Sequence, residues 1–388
     1  MSKKVMVTFA RSLGVALAAY FSWVDVGLST PRDTAFQIFN RLNGVPPSAE
    51  RLDQLEAMVA SGDVRGAALA AINDPKGMFY NLTLKDIVSR WTNADKSPRV
   101  PLNDFTATVI GIVRDGVPFN QVFSADILYT GNTAGAPAYS LANNAHYQFL
   151  ETQGAPLHTA LVKQTQTQQT GALPASAIAG ILSTRAYGDA YFNAGTNRRA
   201  LAFTFENFLC KSFDTLQDTT RPDFRVRRDV TRAPGGDSSL YRNRCAGCHA
   251  GMDALGGAFA FYDFTANGAL VYTPNQVQIK MNRNATEFPD GFVTVDDSWL
   301  NLWNQGQNSS LGWTGTMEGK GAKSLGELLA GTEAFATCMA QKAVEALCIR
   351  PVENTADKDA VTTIAKSFKQ NNYDLKGVYA DAAVHCSK

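Results

Sequence analysis

The sequence predicts a mainly α-helical protein. Apolar residues recur at the three- and four-residue spacing of a helix in many segments, from PRDTAFQIFNRL near the start to SLGELLAGTEAFATC near the end. Capping and stop residues flank such segments, for example Ser48 before and Gly62 after the helical stretch that begins AERLDQL. No internal repeat is visible, and 388 residues are enough for two or three domains of roughly 100–200 residues each.

The charge balance argues against a nucleic-acid or membrane-surface partner. The chain has 36 basic and 35 acidic side chains, so no overall field favours a polyanion. No apolar run approaches the ~20 residues that span a bilayer, and we therefore expect no stable membrane span in the mature protein.

Residues 1–29 have the order of parts of a secretory signal peptide. Lys3, Lys4 and Arg11 precede the charge-free run LGVALAAYFSWV, whose length suits an h-region better than a spanning helix. Because no clean A-x-A cleavage site follows, a buried N-terminal helix or an uncleaved anchor is the alternative. Export would place the mature protein in the periplasm or outside the cell.

The chain divides into two predicted domains. Residues 30–165, with further helices over DFTATVIGIVRDG and the AHYQFLE region, form an N-terminal helical domain of unknown role. The Thr- and Gln-rich stretch 163–176 interrupts the periodicity and is the candidate linker. Residues 177–388 begin with helical spacing in ASAIAGILSTRAYGDAYF and TNRRALAFTFENFLC, become irregular from about 272 to 321, and end in a long helix.

The pentapeptide Cys245-Ala246-Gly247-Cys248-His249 is the strongest chemical signal in the sequence. Two cysteines three residues apart share one face of a helical turn beside a histidine, which is the pattern that attaches a c-type haem through two thioethers and an axial imidazole. A structural zinc site usually has a second close ligand pair, and the sequence has none. A redox dithiol should follow a buried strand, whereas GGDSSLYRNR is polar and basic. The motif predicts one covalent haem (heme c), with zinc held by distant ligands and a redox pair as alternatives.

Residues around the motif are candidates for contacts with the haem. Arg242 and Arg244 lie closest to it within an Arg-rich stretch at 221–244, and Arg forks suit the two haem propionates. A solvated basic face explains most of the other arginines. The stretch AFAFYDF after the motif would cover a porphyrin face or else belong to ordinary core.

The sixth iron ligand decides between an electron carrier and a haem enzyme. Met317, on a Gly-rich loop before the final helix, is the preferred candidate, because Met opposite His is common in electron-transfer cytochromes. His146, Met281 in a segment that alternates like a strand, and an open distal site are the alternatives.

The other four cysteines predict two disulfides, as expected in an oxidising compartment. Cys338 and Cys348 would lie about 15 Å apart along one helix, at 1.5 Å per residue, whereas a disulfide tolerates roughly 7 Å between Cα atoms. One bridge should therefore join Cys386 to Cys338 or Cys348, and Cys210 should take the remaining partner. Four buried free thiols are the alternative.

Segments of both halves resemble a family of secreted proteins. RLNGVPPSAE resembles the RLTGLPPT segment of cytochrome-like proteins from planctomycetes, and NRCAGCHAGMDALGGAFAFYDF resembles their CASCHxxMDPLGFALENFD segment. GILSTRAYGDAYFNAGTNRRALAFTFENFLC is similar to the part that precedes the haem motif in those proteins and in secreted proteins of myxobacteria. Ala254 replaces the usual Pro of the family, and Gly257-Ala258-Phe259 replaces its FAL. The resemblance implies an exported protein with a cytochrome c-like haem domain and a redox role, without naming a substrate.

These observations together predict an exported monohaem c-type cytochrome that exchanges electrons with an unknown redox partner protein. A haem enzyme of the peroxidase or oxygenase type, with an open distal site, is one alternative. A surface or binding protein with a structural haem is another. The chain has no GxSxG, P-loop, GxGxxG or HExxH motif, so chemistry other than that of haem has no support in the sequence.

Overall fold

The computed structural model describes residues 29–171 and 173–387, so nearly all of the predicted signal peptide lies outside the described residues. In the described part the fold is mainly helical, with 54% helix, as predicted. Its sixteen α-helices are α1 (Pro31–Asn43), α2 (Ala49–Ala60), α3 (Val64–Ile72), α4 (Leu84–Ser89), α5 (Asp104–Asp115), α6 (Ala145–Thr152), α7 (Leu157–Ala160), α8 (Gln166–Thr170), α9 (Arg185–Tyr191), α10 (Arg198–Phe208), α11 (Ser238–Leu240), α12 (Ala246–Gly256), α13 (Gly321–Ala330), α14 (Glu333–Cys348), α15 (Thr355–Gln370) and α16 (Leu375–Cys386).

Short antiparallel strand pairs close three loops between the helices. In register, Leu128 lies opposite Gln164, Tyr262 opposite Tyr272, and Ser298 opposite Lys320. The strands are β1 (Leu128–Gly131) with β2 (Leu161–Gln164), β3 (Tyr262–Phe264) with β4 (Leu270–Tyr272), and β5 (Ser298–Leu300) with β6 (Glu318–Lys320).

Local sequence sets the ends of the first two helices. Thr30 accepts a hydrogen bond from the Asp33 amide at 3.1 Å, and the Asp33 carboxylate accepts one from the Thr30 amide at 3.2 Å, which is a capping box. The Ser48 hydroxyl accepts from the Arg51 amide at 3.2 Å, and Gly62 adopts φ +89° just after α2. The predicted start and stop of this second helix are thus confirmed.

The N-terminal helices pack against the C-terminal ones. The ring of Phe79 lies 5.4 Å from that of Tyr379, and Arg65 of α3 donates to Asp381 of α16 at 2.6 Å. Buried residues from Ala35 to Ala383 belong to one contiguous hydrophobic core. Residues of both predicted domains therefore contribute to this core.

The segment 163–176 is built into the fold and does not act as a free linker. Its first residues belong to β2, and α8 follows directly. Gln166 is 1% exposed, and its side-chain amide donates to the carbonyl oxygens of Ile127 at 3.1 Å and Gly180 at 2.7 Å. The polar composition reflects these buried hydrogen bonds, since a buried amide needs partners.

The predicted long final helix is two helices. The Thr332 backbone is extended, and its hydroxyl accepts from the Phe335 amide at 3.1 Å, so α13 ends and α14 begins there. None of the helices in the described part of the chain is long and apolar enough to cross a membrane.

The predicted disulfides are confirmed, and the structure selects one of the two pairings that the sequence left open. Cys210 bonds to Cys338 and Cys348 bonds to Cys386, with Cα separations of 5.3 Å and 5.0 Å. Cys338 and Cys348 lie on the same continuous helix, α14, so the geometric reason for excluding a bridge between them holds. Packing of α14 against α10 and α16 selects the partners.

Candidate functional site

The CAGCH motif lies at the start of α12. A wide π-helical turn, Tyr241–Cys245, leads directly into α12, so the first cysteine sits at the junction of the two and the second lies one turn later. Cys245 and Cys248 are both partly exposed and both free, in contrast to the four cysteines in disulfides. Two accessible thiols on one helical turn are what covalent attachment of a planar group requires.

The second thiol faces a neighbouring loop. The Cys248 sulfur lies 3.4 Å from the carbonyl oxygen of Phe213, to which its S–H can donate. Partial burial raises the pKa of Cys248, with a smaller contribution from Asp214. Cys248 is therefore a neutral thiol, unlike the low-pKa thiolate that marks a catalytic redox cysteine.

His249 contacts the buried carboxylate of Asp253 through one ring nitrogen. Its Nδ1 lies 3.3 Å from Oδ2 of Asp253, one helical turn further along α12. The imidazole is 22% exposed, whereas the Asp253 side chain is fully buried. Because a carboxylate only accepts, this contact needs a proton on Nδ1, and in the neutral ring the free lone pair then lies on Nε2. No hydrogen-bond partner of Nε2 is present among the described residues.

Two arginines surround Asp253. Arg198 donates to both of its oxygens, from Nε at 2.5 Å and from Nη2 at 2.8 Å, and Arg227 donates from its backbone amide at 3.1 Å and from Nη2 at 3.4 Å. Burial raises the pKa of Asp253, but the charge of Arg227 and the hydrogen bonds from Arg198 and His249 outweigh burial and hold it well below its usual range. The group that contacts His249 is therefore a carboxylate anion.

Asp229 completes the cluster of charges. Its carboxylate accepts from Nη1 of Arg198 at 2.5 Å and from Nη2 at 2.8 Å. We call Arg198, Arg227, Asp229 and Asp253 the buried charge cluster. It has two positive and two negative side chains, so their formal charges cancel.

Sequence reasoning did not single out this cluster. Asp253 could have been found, because a residue four positions after a histidine on a helix faces it. Arg227 falls in the Arg-rich stretch assigned mostly to solvent, yet it is 1% exposed. Arg198 and Asp229 are distant in sequence from the motif, and no local pattern identifies them.

The loop after β5 packs closely on the motif helix. A Cβ atom at Gly251 would lie 2.1 Å from Cε2 of Trp303, and one at Gly257 would lie 2.2 Å from the carbonyl oxygen of Ser298. Only glycine allows such an approach at both positions. The glycines of the motif region thus let the segment 298–303 lie directly against α12.

Met317 lies near this same loop. Its carbonyl oxygen accepts from the Asn301 amide at 2.7 Å, and its sulfur lies 3.6 Å from the Asn301 side-chain amide. The Asn301 side chain also accepts from the Trp303 amide at 2.9 Å. Met317 is therefore linked to α12 through Asn301 and Trp303, and its thioether is only partly buried.

Met281 contacts Arg227, one of the four residues of the buried charge cluster. It is fully buried in a 3-10 turn, Ile279–Asn282, where the sequence suggested a strand. Its sulfur accepts from Nη1 of Arg227 at 3.4 Å. Arg227 also contacts Asp253, so Met281 is linked through Arg227 to the carboxylate that faces His249. Its thioether already has a hydrogen-bond partner.

His146 is part of the packing around β1. Its Nε2 accepts from the Gly131 amide at 2.9 Å, and Nδ1 lies 2.7 Å from the carbonyl oxygen of Pro137, to which it donates. The ring is 5% exposed. With both nitrogens engaged, this imidazole has no free lone pair for a metal.

Arg242 and Arg244 are exposed on the π-helical turn before the motif. Arg242 makes a single long contact, 3.5 Å from Nη2 to the Ser238 hydroxyl. Both guanidinium groups are therefore accessible to an anion beside the two thiols.

The aromatic residues that follow α12 lie in the core. Phe259 and Tyr262 are at most 1% exposed, and the Tyr262 ring stacks on Phe192 with a centroid distance of 5.4 Å. They match the ordinary-core interpretation of AFAFYDF.

Apolar surface near the motif comes from a different segment. Phe224 is 57% exposed and Leu240 46% exposed, and Phe224 lines a cavity of about 390 Å³ together with Tyr241, Phe288 and Phe292. Arg242, on the turn before the motif, also lines this cavity, whereas Cys245, Cys248 and His249 do not.

Comparison with known proteins adds no identity. No family model, no curated protein and no solved structure matches this chain.

Proposed function

We propose that this protein is an exported monohaem c-type cytochrome that transfers electrons. One observation carries the proposal: the only free thiols among the described cysteines are the two of CAGCH, and the adjacent His249 presents an Nε2 without a partner in the described residues. Covalent attachment of a c-type haem requires two thiols, which would become thioethers, and an axial imidazole, and this site has two free thiols beside a histidine.

The sorting of the six cysteines supports the proposal. Four form two structural disulfides, which are typical of an oxidising compartment. Cys245 and Cys248, although close in sequence, are not bonded to each other. The chain thus has two disulfides, as is common in exported proteins, and a pair of free thiols that remain available for another covalent bond.

Each residue of the site has a distinct part in this proposal. Cys245 and Cys248 anchor the haem, and His249 binds the iron through Nε2. The bound haem supplies reversible one-electron chemistry. The buried charge cluster orients His249, and Arg242 and Arg244 pair with the propionates.

Met317 is the proposed sixth ligand. Of the sequence candidates, Met281 is engaged by Arg227, and both ring nitrogens of His146 are engaged by backbone groups. Met317 has one weak contact to its sulfur and belongs to the loop system that packs on α12.

One observation favours a haem enzyme as the second candidate. A histidine ligand that donates to a carboxylate is more basic, which stabilises the oxidised iron. An open distal site would then bind cyanide or carbon monoxide rapidly, whereas a Met317 ligand would slow that binding.

The test is covalent haem in protein matured in a host that attaches c-type haem. We expect a c-type pyridine haemochrome spectrum and a haem-stained band on a denaturing gel. Replacing Cys245 and Cys248 by Ala should abolish the stain. The matched control, Cys348→Ala with Cys386→Ala, removes the same number of cysteines and should keep it. Wild-type protein without covalent haem would refute the proposal.

A further inference from the structure

We propose that Asp253 is a positioning residue that fixes the His249 ring through Nδ1 and makes its Nε2 a more electron-rich ligand, so that the haem potential is lower than it would be without this carboxylate. This inference rests on the proposed haem attachment. It goes further because it identifies which residues of the chain set the redox poise of the site.

The geometry of the contact comes first. Asp253 follows His249 by one turn on α12, so the two side chains share a face of the helix. Oδ2 lies 3.3 Å from Nδ1, and the carboxylate is fully buried whereas the imidazole is 22% exposed. The Nδ1 edge of the ring therefore faces the buried carboxylate, and part of the ring is exposed.

The carboxylate itself cannot rotate. Oδ1 accepts from Arg198 Nε at 2.5 Å and Arg227 Nη2 at 3.4 Å. Oδ2 accepts from Arg198 Nη2 at 2.8 Å and from the Arg227 amide at 3.1 Å, in addition to its contact with His249. Because both oxygens are held by groups from α10 and from the loop at 227, the direction of the hydrogen bond to His249 is set by the tertiary fold.

The neighbouring charges keep this arrangement stable in the interior. An isolated buried carboxylate is costly, but here two arginines and two aspartates balance each other. The ion pairs with Arg198 and Arg227 therefore compensate the carboxylate that faces His249. A carboxylate on the second nitrogen of a metal-bound histidine raises the basicity of the ligand.

The consequence concerns the iron potential. A more basic axial nitrogen favours the higher oxidation state, and axial-ligand electronics are one of the levers by which proteins set haem potentials. We therefore expect Asp253 to lower the haem potential through its contact with His249.

The test compares two variants that each remove one negative charge from the buried charge cluster. Asp253→Asn removes the carboxylate that contacts His249, and Asp229→Asn removes the one that contacts only Arg198. After covalent haem is verified in each protein, midpoint potentials are measured by spectroelectrochemical titration. We expect Asp253→Asn to shift the one-electron equilibrium toward the reduced form at least tenfold, about 59 mV, and Asp229→Asn less than threefold. Equal shifts in both variants, or no shift in Asp253→Asn, would overturn the inference.

A second measurement needs no variant and covers the case in which Asp253→Asn does not fold. In reduced, ¹⁵N-histidine-labelled wild-type protein, the Nδ1 proton of His249 should exchange slowly with solvent and resonate far downfield. A freely exchanging Nδ1 proton would overturn the inference. Failure of the wild type to carry covalent haem would instead overturn the proposed function, so the two failures are distinguishable.

Discussion

Gly251→Ala should destabilise the protein although the substitution lies inside a helix. Intrinsic helix propensity alone favours Ala over Gly by roughly 1 kcal/mol. However, the new methyl would lie 2.1 Å from Cε2 and 2.4 Å from Nε1 of Trp303, whereas nonbonded carbon atoms prefer roughly 3.5–4.0 Å. The indole would have to move by more than about 1 Å, and it is fully buried between Phe205 and Phe213 at centroid distances of 5.7 Å and 5.4 Å.

The magnitude follows from these opposing effects. Overpacking a closed core costs about 1–3 kcal/mol, which exceeds or cancels the propensity gain, so the net loss of unfolding free energy should be about 0–2 kcal/mol. Gly256→Ala is the matched control at the end of the same helix, since its nearest new neighbour would be Arg227 Nη2 at an ordinary 3.8 Å. This control keeps the propensity gain without the clash and should be stabilising by about 1 kcal/mol.

Urea unfolding followed by circular dichroism at constant pH measures both variants against the wild type. The reasoning requires Gly251→Ala to lie below Gly256→Ala in unfolding free energy by about 1–3 kcal/mol. If the two variants are equally stable, or if Gly251→Ala is the more stable one, Trp303 does not pack on the motif helix as described.

Two further predictions concern the distal ligand and the pH dependence of stability. Met317→Ala should abolish the weak far-red charge-transfer band of the ferric protein, and Met281→Ala should keep it; a band that survives Met317→Ala excludes this ligand. The buried Asp357 carboxylate accepts hydrogen bonds from Arg350 and His385, which lower its pKa below the unfolded value of 3.8. It therefore stabilises the fold above about pH 4, and this contribution is lost as the pH falls through the folded pKa. Asp357→Asn should lower the unfolding free energy at pH 7 by about 1–3 kcal/mol, and the difference should shrink toward pH 2. Asp359→Asn, at an exposed position of the same helix, should have little effect, and equal losses in both variants would contradict the assignment.

The structure changes the meaning of the Arg-rich segment. Viewed as a sequence, its arginines suggest a solvated face with one or two propionate contacts. In the fold these arginines differ in burial. Arg242 and Arg244 are exposed on the turn before the motif, whereas Arg227 is buried and contacts Asp253, the carboxylate that faces His249. Composition indicates the local charge, but only packing decides which charge is desolvated.

Features that depend on neighbouring residues could be predicted from the amino-acid sequence. Helix ends at Thr30 and Ser48 follow from capping side chains within three residues. The placement of two thiols and an imidazole on one turn follows from CAGCH. The exclusion of a Cys338–Cys348 bridge follows from helical rise alone, since α14 carries both residues.

Features that depend on residues distant in sequence could not be predicted in this way, because packing of the folded chain brings those residues together. The fold selected Cys210 as the partner of Cys338, and it placed residues of both predicted domains in one hydrophobic core. It also buried the Gln166 side chain of a polar stretch against the carbonyl oxygen of Gly180. It also brought Arg198 to Asp253 across 55 positions. Such contacts arise from the packing of whole helices, and the cost of burying a charge is decided by partners that no local pattern in the chain identifies.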